Sequence, residues 1–433
     1  MSRTTLDRLF DFLNTSPMSW HAVMRMAQRL SEHGFVELDE REQWTLSPGK
    51  RYYTIRQGGA LIAFQLPNVS LEAFNMIGAH TDSPHLRLKP DPFIASRDWL
   101  QLGIEVYGGA LLSPWYDRDL GMAGRVQVRD THGTLRTCLL DTKRSVAMVP
   151  SLAIHLDRTA NKGRDINPQT QMAAVLTQAS SISDIPSGTA LIKKLLIAQH
   201  VCTPDEEVVD YEVGFYDCQP AARVGLDGEL IASARLDNLL SCFCGLEALL
   251  QCDGQQGVMF VANDHEEVGS GSPGGAQGTF LDDVLTRIDA AVGEGTAESR
   301  VRLLQRSLMI SCDNAHALHP NFTDRHDLGQ APAINRGPVI KYNANQHYAT
   351  SSETAARFKL FCQQAGVPVQ AFATRADMGC GSTIGPLTAT ALGIPTLDVG
   401  LPQWAMHSIR ETAGSQDPDY LIKALTVFCN TCP

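Results

Sequence analysis

Apolar, strand-like runs that lie far apart in this chain end on histidine or carboxylate residues, and this constrains the fold more than any other feature. One run (258–261) passes into Asn263-Asp264-His265-Glu266-Glu267-Val268-Gly269. Another enters His80-Thr81-Asp82-Ser83-Pro84-His85, and a third ends just before Asp313. Arg235-Leu236-Asp237-Asn238 introduces a helical pattern. From there to the C-terminus strands are expected at 257–262, 307–312 and 394–399, and helices near 238–250, 351–365 and 383–392. Such alternation calls for a mostly parallel sheet covered by helices. Sheets of that kind gather binding residues at the carboxyl ends of their strands. His80, Asp237, Glu266, Glu267 and Asp313 all stand at a strand end or a helix entry. The expected fold class is therefore α/β, a mixed, mostly parallel sheet sandwiched by helices.

The remainder of the chain has a different texture. An amphipathic helix is predicted over 1–15, with Leu6, Leu9, Phe10 and Leu13 on one face. A second helix is predicted over 19–34, capped by Ser19 and stopped by Gly34, then a hairpin of 52–55 and 61–66 around Gly58-Gly59. Between about 90 and 230, short β-like stretches (102–107, 124–129, 134–140) alternate with turns such as Thr131-His132-Gly133. At 433 residues the chain exceeds one ordinary core. Two domains are expected: residues 1–90 with 231–433 as a catalytic domain, and 91–230 as an inserted, β-rich dimerisation or assembly domain.

Composition removes several classes of function. The net charge of -11 argues against nucleic acid, whose phosphates need clustered Lys and Arg. No apolar run approaches membrane-spanning length, and the N-terminus does not read as a signal peptide. The 11 cysteines lack zinc-ribbon pairing, and Cys242 and Cys244 fall in a helical apolar pattern as buried thiols. That usage fits the reduced cytoplasm.

Adjacent carboxylates such as Glu266 and Glu267 repel each other unless strong positive charge lies close, and bound dications supply it. The ordinary alternative is a solvated acidic turn. His80 at a strand end would by itself be a hydrogen-bonded structural residue, but Asp82 two positions on could accept the second ring N–H of a metal-bound imidazole. Asp237 could cap the helix that follows or bridge two cations through its two oxygens. Asp313 offers a further ligand after a strand, and His407 is a histidine in a plausible ligand context. His85, His316 and His319 read as structural. The turn at 379–383 leads into a helix and could cradle an anion, yet it lacks a P-loop lysine. Cys380 has no identifiable base and does not read as a nucleophile.

The segments HTDSPHLRLKP at 80–90, RLDN at 235–238, EEVGS at 266–270, DNAHALHP at 313–320, GPVIK at 337–341 and MHSIRE at 406–411 occur in order over nearly the whole chain. Together they resemble the aspartyl aminopeptidase family of dizinc metallopeptidases. The resemblance implies two zinc ions per subunit, with Mn2+ or Co2+ as substitutes: His80 and Asp313 on one ion, Glu267 and His407 on the other, and Asp237 bridging. It implies Glu266 as general base, Asp82 as the group orienting His80, and His155 of the inserted domain acting in a neighbouring subunit. Lys341 would meet an acidic side chain of the substrate, and Tyr348 would line the same region. By itself, Lys341 would read as a solvated surface residue, and His155, in the apolar stretch 152–156, as structural. The family's dodecamer implies a homo-oligomer. One departure is Met378-Gly379 before Cys380, where the family commonly has a proline. The expected function is cytoplasmic removal of N-terminal Asp or Glu from peptides. A broad or leucine-preferring aminopeptidase on the same scaffold, or a non-catalytic assembly or cargo protein, is the alternative.

Overall fold

The computed structural model describes residues 4–181 and 187–432, and the chain divides into two compact units. The first comprises Met1–Asp82, Ala221–Met406 and Glu411–Pro433; the second comprises Ser83–Pro220 and His407–Arg410. These divisions fall at Asp82/Ser83 and Pro220/Ala221 rather than near 90 and 230. Strand His85–Ser96 pairs with Trp99–Tyr107 and Glu207–Asp217, which assigns it to the second unit. The hairpin Ala222–Val224 and Leu230–Ser233 pairs with Glu411–Gly414 of the first.

The first unit is built on a nine-stranded sheet. Its order is Val36–Glu37, Arg51–Arg56, Ala60–Gln65, Gly257–Asn263, Phe74–His80, Leu308–Cys312, Thr396–Gly400, Val339–Tyr342, Gln370–Ala373. The four strands from Gly257–Asn263 to Thr396–Gly400 run parallel to their neighbours in that group. Antiparallel pairs lie outside them, between Thr396–Gly400 and Val339–Tyr342 and in the hairpin. These central strands are buried on both faces and read as continuous apolar runs. In Gly257–Asn263, Val258, Phe260 and Ala262 join one hydrophobic core, while Met259 and Val261 join the other.

Helices supply both cores. Thr5–Asn14, Ser19–Glu32, Leu236–Leu250, Ser352–Ala365 and Asp417–Asn430 contribute to the first, and Phe280–Val292, Ala297–Arg306 and Ile384–Leu392 to the second. Leu236–Leu250 is apolar around its whole circumference and buried almost throughout, as a helix at the centre of a large core must be. Each fully buried leucine in it contributes about 1.5–3 kcal/mol.

Two local expectations need correction. The first helix begins at Thr5, with Thr4 and Asp7 forming a capping box, and buries Leu6, Leu9, Phe12 and Leu13. Phe12 completes that stripe and Phe10 is only partly buried against the core; residues 1–3 of the predicted span lie outside the described residues. The second helix is Ser19–Glu32. Ser19 is its first helical residue, and the capping position, Met18, makes no side-chain cap bond.

The second unit holds a six-stranded antiparallel sheet, ordered Leu135–Asp141, Leu120–Arg129, Glu207–Asp217, His85–Ser96, Trp99–Tyr107, Ala174–Gln178. Its core includes Leu86, Met122, Phe215 and Ile192, the last from helix Gly188–Ala198, and Ile409 is buried in the same cluster. His155 sits in an exposed turn in which Leu152, Ile154 and Leu156 are also exposed. This apolar stretch is therefore surface, not core as a structural histidine there would require. Among the described residues, no helix is long and apolar enough to cross a membrane.

Candidate metal centre

The carboxyl ends of the central parallel strands in the first unit bring six of the expected residues together. His80 ends its strand and is almost fully buried. Its Nδ1 lies 3.1 Å from the Asp82 main-chain oxygen and 3.3 Å from Asp82 Oδ1. Its Nε2 points the other way, 3.4 Å from Asp237 Oδ1, 3.7 Å from Asp313 Oδ1 and 3.8 Å from Glu266 Oε2. A neutral ring whose Nδ1–H faces Asp82 thus directs the Nε2 lone pair into the carboxylate cluster.

Asp82 does a second task. Its two oxygens accept the main-chain N–H groups of Glu266 and Glu267, each at 3.1 Å. One carboxylate therefore sets the His80 ring and the turn that carries the glutamate pair. Both glutamates lie in the short 3-10 turn Glu266–Val268 and are only partly exposed, which removes the solvated-turn alternative. His265 before them takes φ 61°, and Arg235 before Leu236-Asp237 also takes φ 61°. Left-handed backbone at non-glycine residues is strained and clusters at functional sites.

Asp237 is buried and stands at a kink: its backbone (φ -82°, ψ 106°) and that of Asn238 (φ -124°, ψ 25°) are non-helical and interrupt Leu236–Leu250 at its start. The Asp237 N–H donates to Glu411 Oε2 at 2.9 Å. Asn238 Nδ2 donates to the Cys312 carbonyl at 2.8 Å, and Asn314 Nδ2 donates to the Leu236 carbonyl at 2.8 Å. These two amides stitch the Asp237 segment to the Asp313 strand. Glu411, Asn238 and Asn314 escaped sequence reasoning as supports, although all three stand inside or beside the motifs. Only the folded register shows that they reach partners 74 to 174 residues away.

Lys341 is 3% exposed, with Nζ 3.5 Å from Asp313 Oδ2 and 5.3 Å from the centre of the Tyr348 ring. It is not a solvated surface lysine. Tyr348 is likewise buried. His316 and His319 take structural positions: His316 packs edge-on to Phe372, and His319 Nδ1 accepts the Asn321 N–H while its ring lies against Phe322 and Trp404. His407 belongs to the second unit, where its Nδ1 lies 3.1 Å from the Gly109 carbonyl, and its φ is 66°.

Charge at the cluster is lopsided. Five carboxylates (Asp82, Asp237, Glu266, Glu267, Asp313) surround one imidazole, with Lys341 as the nearby ammonium. Burial, then neighbouring carboxylates, push Glu266 up to about 7 and Glu267 well above the ordinary range, although His80 opposes both shifts. His80 is held well above its ordinary value; burial pulls it down, but Glu266, Asp237, Asp313 and Asp82 prevail. Asp313 is driven below its ordinary value, because Lys341 and His80 outweigh the opposing effect of burial. Ligand atoms of His80, Asp237 and Glu267 lie within 4.8 Å of one another, a spacing that could hold a metal ion. Imidazole and carboxylate donors suit zinc, and a dication would neutralise the clustered charge.

A histidine and several carboxylates gathered at the carboxyl ends of central parallel strands, around room for a dication, are what a metal-dependent hydrolase requires. The family model for Aminopeptidase I zinc metalloprotease (M18) matches residues 12–429, and the chain belongs to this family of zinc-dependent aminopeptidases. It is similar to a "Probable M18 family aminopeptidase 2" of Pseudomonas aeruginosa, 52% identical over 422 residues that cover 97% of this chain and 96% of the relative. Among solved structures, a chain of the Ape4 and Nbr1 complex superposes with a TM-score of 0.94 at 36% identity, covering 98% of this chain and 85% of that one. The S. cerevesiae mApe1 dodecamer superposes with a TM-score of 0.84 at 26% identity, covering 98% and 95%.

Proposed function

We propose that this aminopeptidase removes acidic N-terminal residues, Asp or Glu, from peptides with two zinc ions per subunit. The observation that carries the reading is the meeting of His80, Asp237 and Glu267 beside Glu266 and Asp313, with the buried Lys341 ammonium against Asp313. His80 and Asp313 would hold one ion, Glu267 and His407 the other, and Asp237 both. Mn2+ or Co2+ would be accepted as substitutes. Zinc supplies a Lewis acid and acidifies coordinated water from a pKa of about 15.7 to about 7.

The chain's own groups do the rest. Glu266 accepts the proton of the attacking water and returns it to the leaving amine, a role that needs a carboxylate within hydrogen-bond reach. Asp82 holds the His80 ring with Nε2 inward, and Glu267 and Asp237 turn their oxygens to the centre. Lys341 faces the acidic side chain, and Tyr348 packs beside it. His155, supplied by a neighbouring subunit of a homo-oligomer, steadies the developing oxyanion. A dodecamer like that of the mApe1 relative would bring it there, and the enzyme would work in the cytoplasm.

A broad or leucine-preferring specificity is the second reading, favoured by one observation: the Lys341 ammonium is already 3.5 Å from Asp313. Initial rates on matched Asp-, Glu-, Leu- and Lys-chromogenic amides, with and without chelator, separate the two. Chelator-sensitive cleavage favouring Asp and Glu is expected. Faster cleavage of Leu would remove Lys341 as the selector and leave the metal chemistry intact.

A further inference from the structure

Asp398, in strand Thr396–Gly400, is fully buried. An ionised carboxylate in such a place needs hydrogen-bond donors and positive charge close by. It accepts the Ala349 N–H at 2.7 Å on Oδ2 and the Thr383 hydroxyl at 2.6 Å on Oδ1. Its own N–H donates to Thr350 Oγ1 at 3.1 Å. Gly385 lets the first turn of helix Ile384–Leu392 approach, since a Cβ there would lie 2.5 Å from both carboxylate oxygens. The carboxylate thus ties down two separate points, Ala349, directly after Tyr348, and Thr383, which closes the 379–383 turn, while the Asp398 main chain holds Thr350.

The strand carrying Asp398 also pairs with the strand carrying Lys341. Ser311 faces Asp398 across the parallel pair, and Ile340 faces Val399 across the antiparallel pair. Lys341 and Asp398 are the next residues along these two strands. The two tied segments also contribute Tyr348 and Cys380 to a cavity of about 310 Å³ whose walls include His316, Phe372 and Trp404; Lys341 lies behind this wall, its Nζ 5.3 Å from the centre of the Tyr348 ring.

We propose that Asp398 is a positioning residue for substrate selection: its buried carboxylate fixes the Tyr348 segment and the 379–383 turn around the Lys341 ammonium, so that an acidic side chain meets a preformed cationic pocket. The inference rests on the reading of Lys341 as the contact for that side chain. Asp398 acts through Lys341, Ala349 and Thr383, and a preformed pocket lowers the ordering cost of binding.

The test compares Asp398→Asn, Thr383→Val and Lys341→Met in the full-length, zinc-loaded enzyme. kcat and KM are measured on Asp amides and their neutral Asn counterparts, with zinc content and thermal melting as controls. Asp398→Asn keeps the shape but removes the charge and one acceptor. It should raise KM for Asp by about tenfold or more, as loss of a buried charged hydrogen bond predicts. KM for Asn and zinc content should change little, and Thr383→Val should act in the same direction more weakly. Equal losses on both amides would make Asp398 merely structural and overturn the inference. If Asp398→Asn does not fold, an unchanged Asp-to-Asn ratio in Thr383→Val overturns it alone. Loss of acidic preference in Lys341→Met, with none in the other two, sinks the positioning role and spares Lys341. No loss in Lys341→Met sinks both.

Discussion

Glu266 is distinguished from Glu267 by what surrounds it rather than by sequence. Its Oε2 lies 3.8 Å from His80 Nε2, while Glu267 brings a ligand atom within 4.8 Å of those of His80 and Asp237. Glu266→Gln should therefore retain zinc and the melting temperature and lose turnover by about 10²–10⁴-fold, the usual span for a general base. Metal analysis beside steady-state rates checks this, and near-normal turnover would reassign the base. The same residues predict a pH effect in metal-free protein. Glu266 and Glu267 keep their protons to higher pH when folded than when unfolded, so their contribution to stability is complete below about 4.5. For Glu266 it is lost as the pH climbs through about 7. Zinc displaces those protons, so calorimetry in buffers of different ionisation enthalpy should find more protons released per zinc near pH 6 than near pH 9. Equal release at both would mean that the glutamates are already ionised without metal.

At the scale of elements, the approach of two strands decides where Asp313 sits. A Cβ on Gly400 would lie 2.1 Å from the Asp313 carbonyl oxygen and 2.8 Å from the Asn314 carbonyl carbon, both main-chain atoms that cannot swing aside. Gly400→Ala should cost about 1–3 kcal/mol in chemical denaturation, as overpacking does, and lower zinc occupancy by moving Asp313. Unaltered stability would show that the backbone yields at no cost. Much at this level was readable beforehand. The strands expected at 257–262, 307–312 and 394–399 are Gly257–Asn263, Leu308–Cys312 and Thr396–Gly400, and the helices expected near 238–250, 351–365 and 383–392 differ by a residue or two at their ends. Long apolar runs with hard stops carry that information locally. Asp82, Asp237, Glu266 and Asp313 stand out as candidates because each follows such a stop. The burial of Lys341 was not, since a single lysine after Gly337-Pro338-Val339-Ile340 reads as solvated until the neighbouring strands cover it. The partnership of Glu411 with Asp237 was equally hidden, because 174 residues separate them. Ser19 misled because a hydroxyl at a helix start suggests a cap whether or not its oxygen finds an N–H.

Across the whole molecule, metal and assembly should set stability. Zinc at a hundred times its Kd adds about 2.7 kcal/mol, so chelation should lower the melting temperature and restoring zinc should recover it. A melting curve indifferent to chelator would place the cation elsewhere. The exposed Leu152, Ile154 and Leu156 beside His155 predict that Ile154→Glu reduces the particle mass seen by light scattering and lowers activity with it. Unchanged mass with full activity would remove this turn from the assembly. The strand order has a temporal consequence. Among the described residues, strand Phe74–His80 pairs within its sheet with Gly257–Asn263 and Leu308–Cys312. A ribosome adding roughly 5–20 residues each second must therefore work for many seconds after releasing His80 before either neighbour, or Asp313, exists. Until then the earliest proposed ligand rides on an unpaired, apolar ribbon, and a nascent chain arrested before Leu308 should neither retain zinc nor resist protease there.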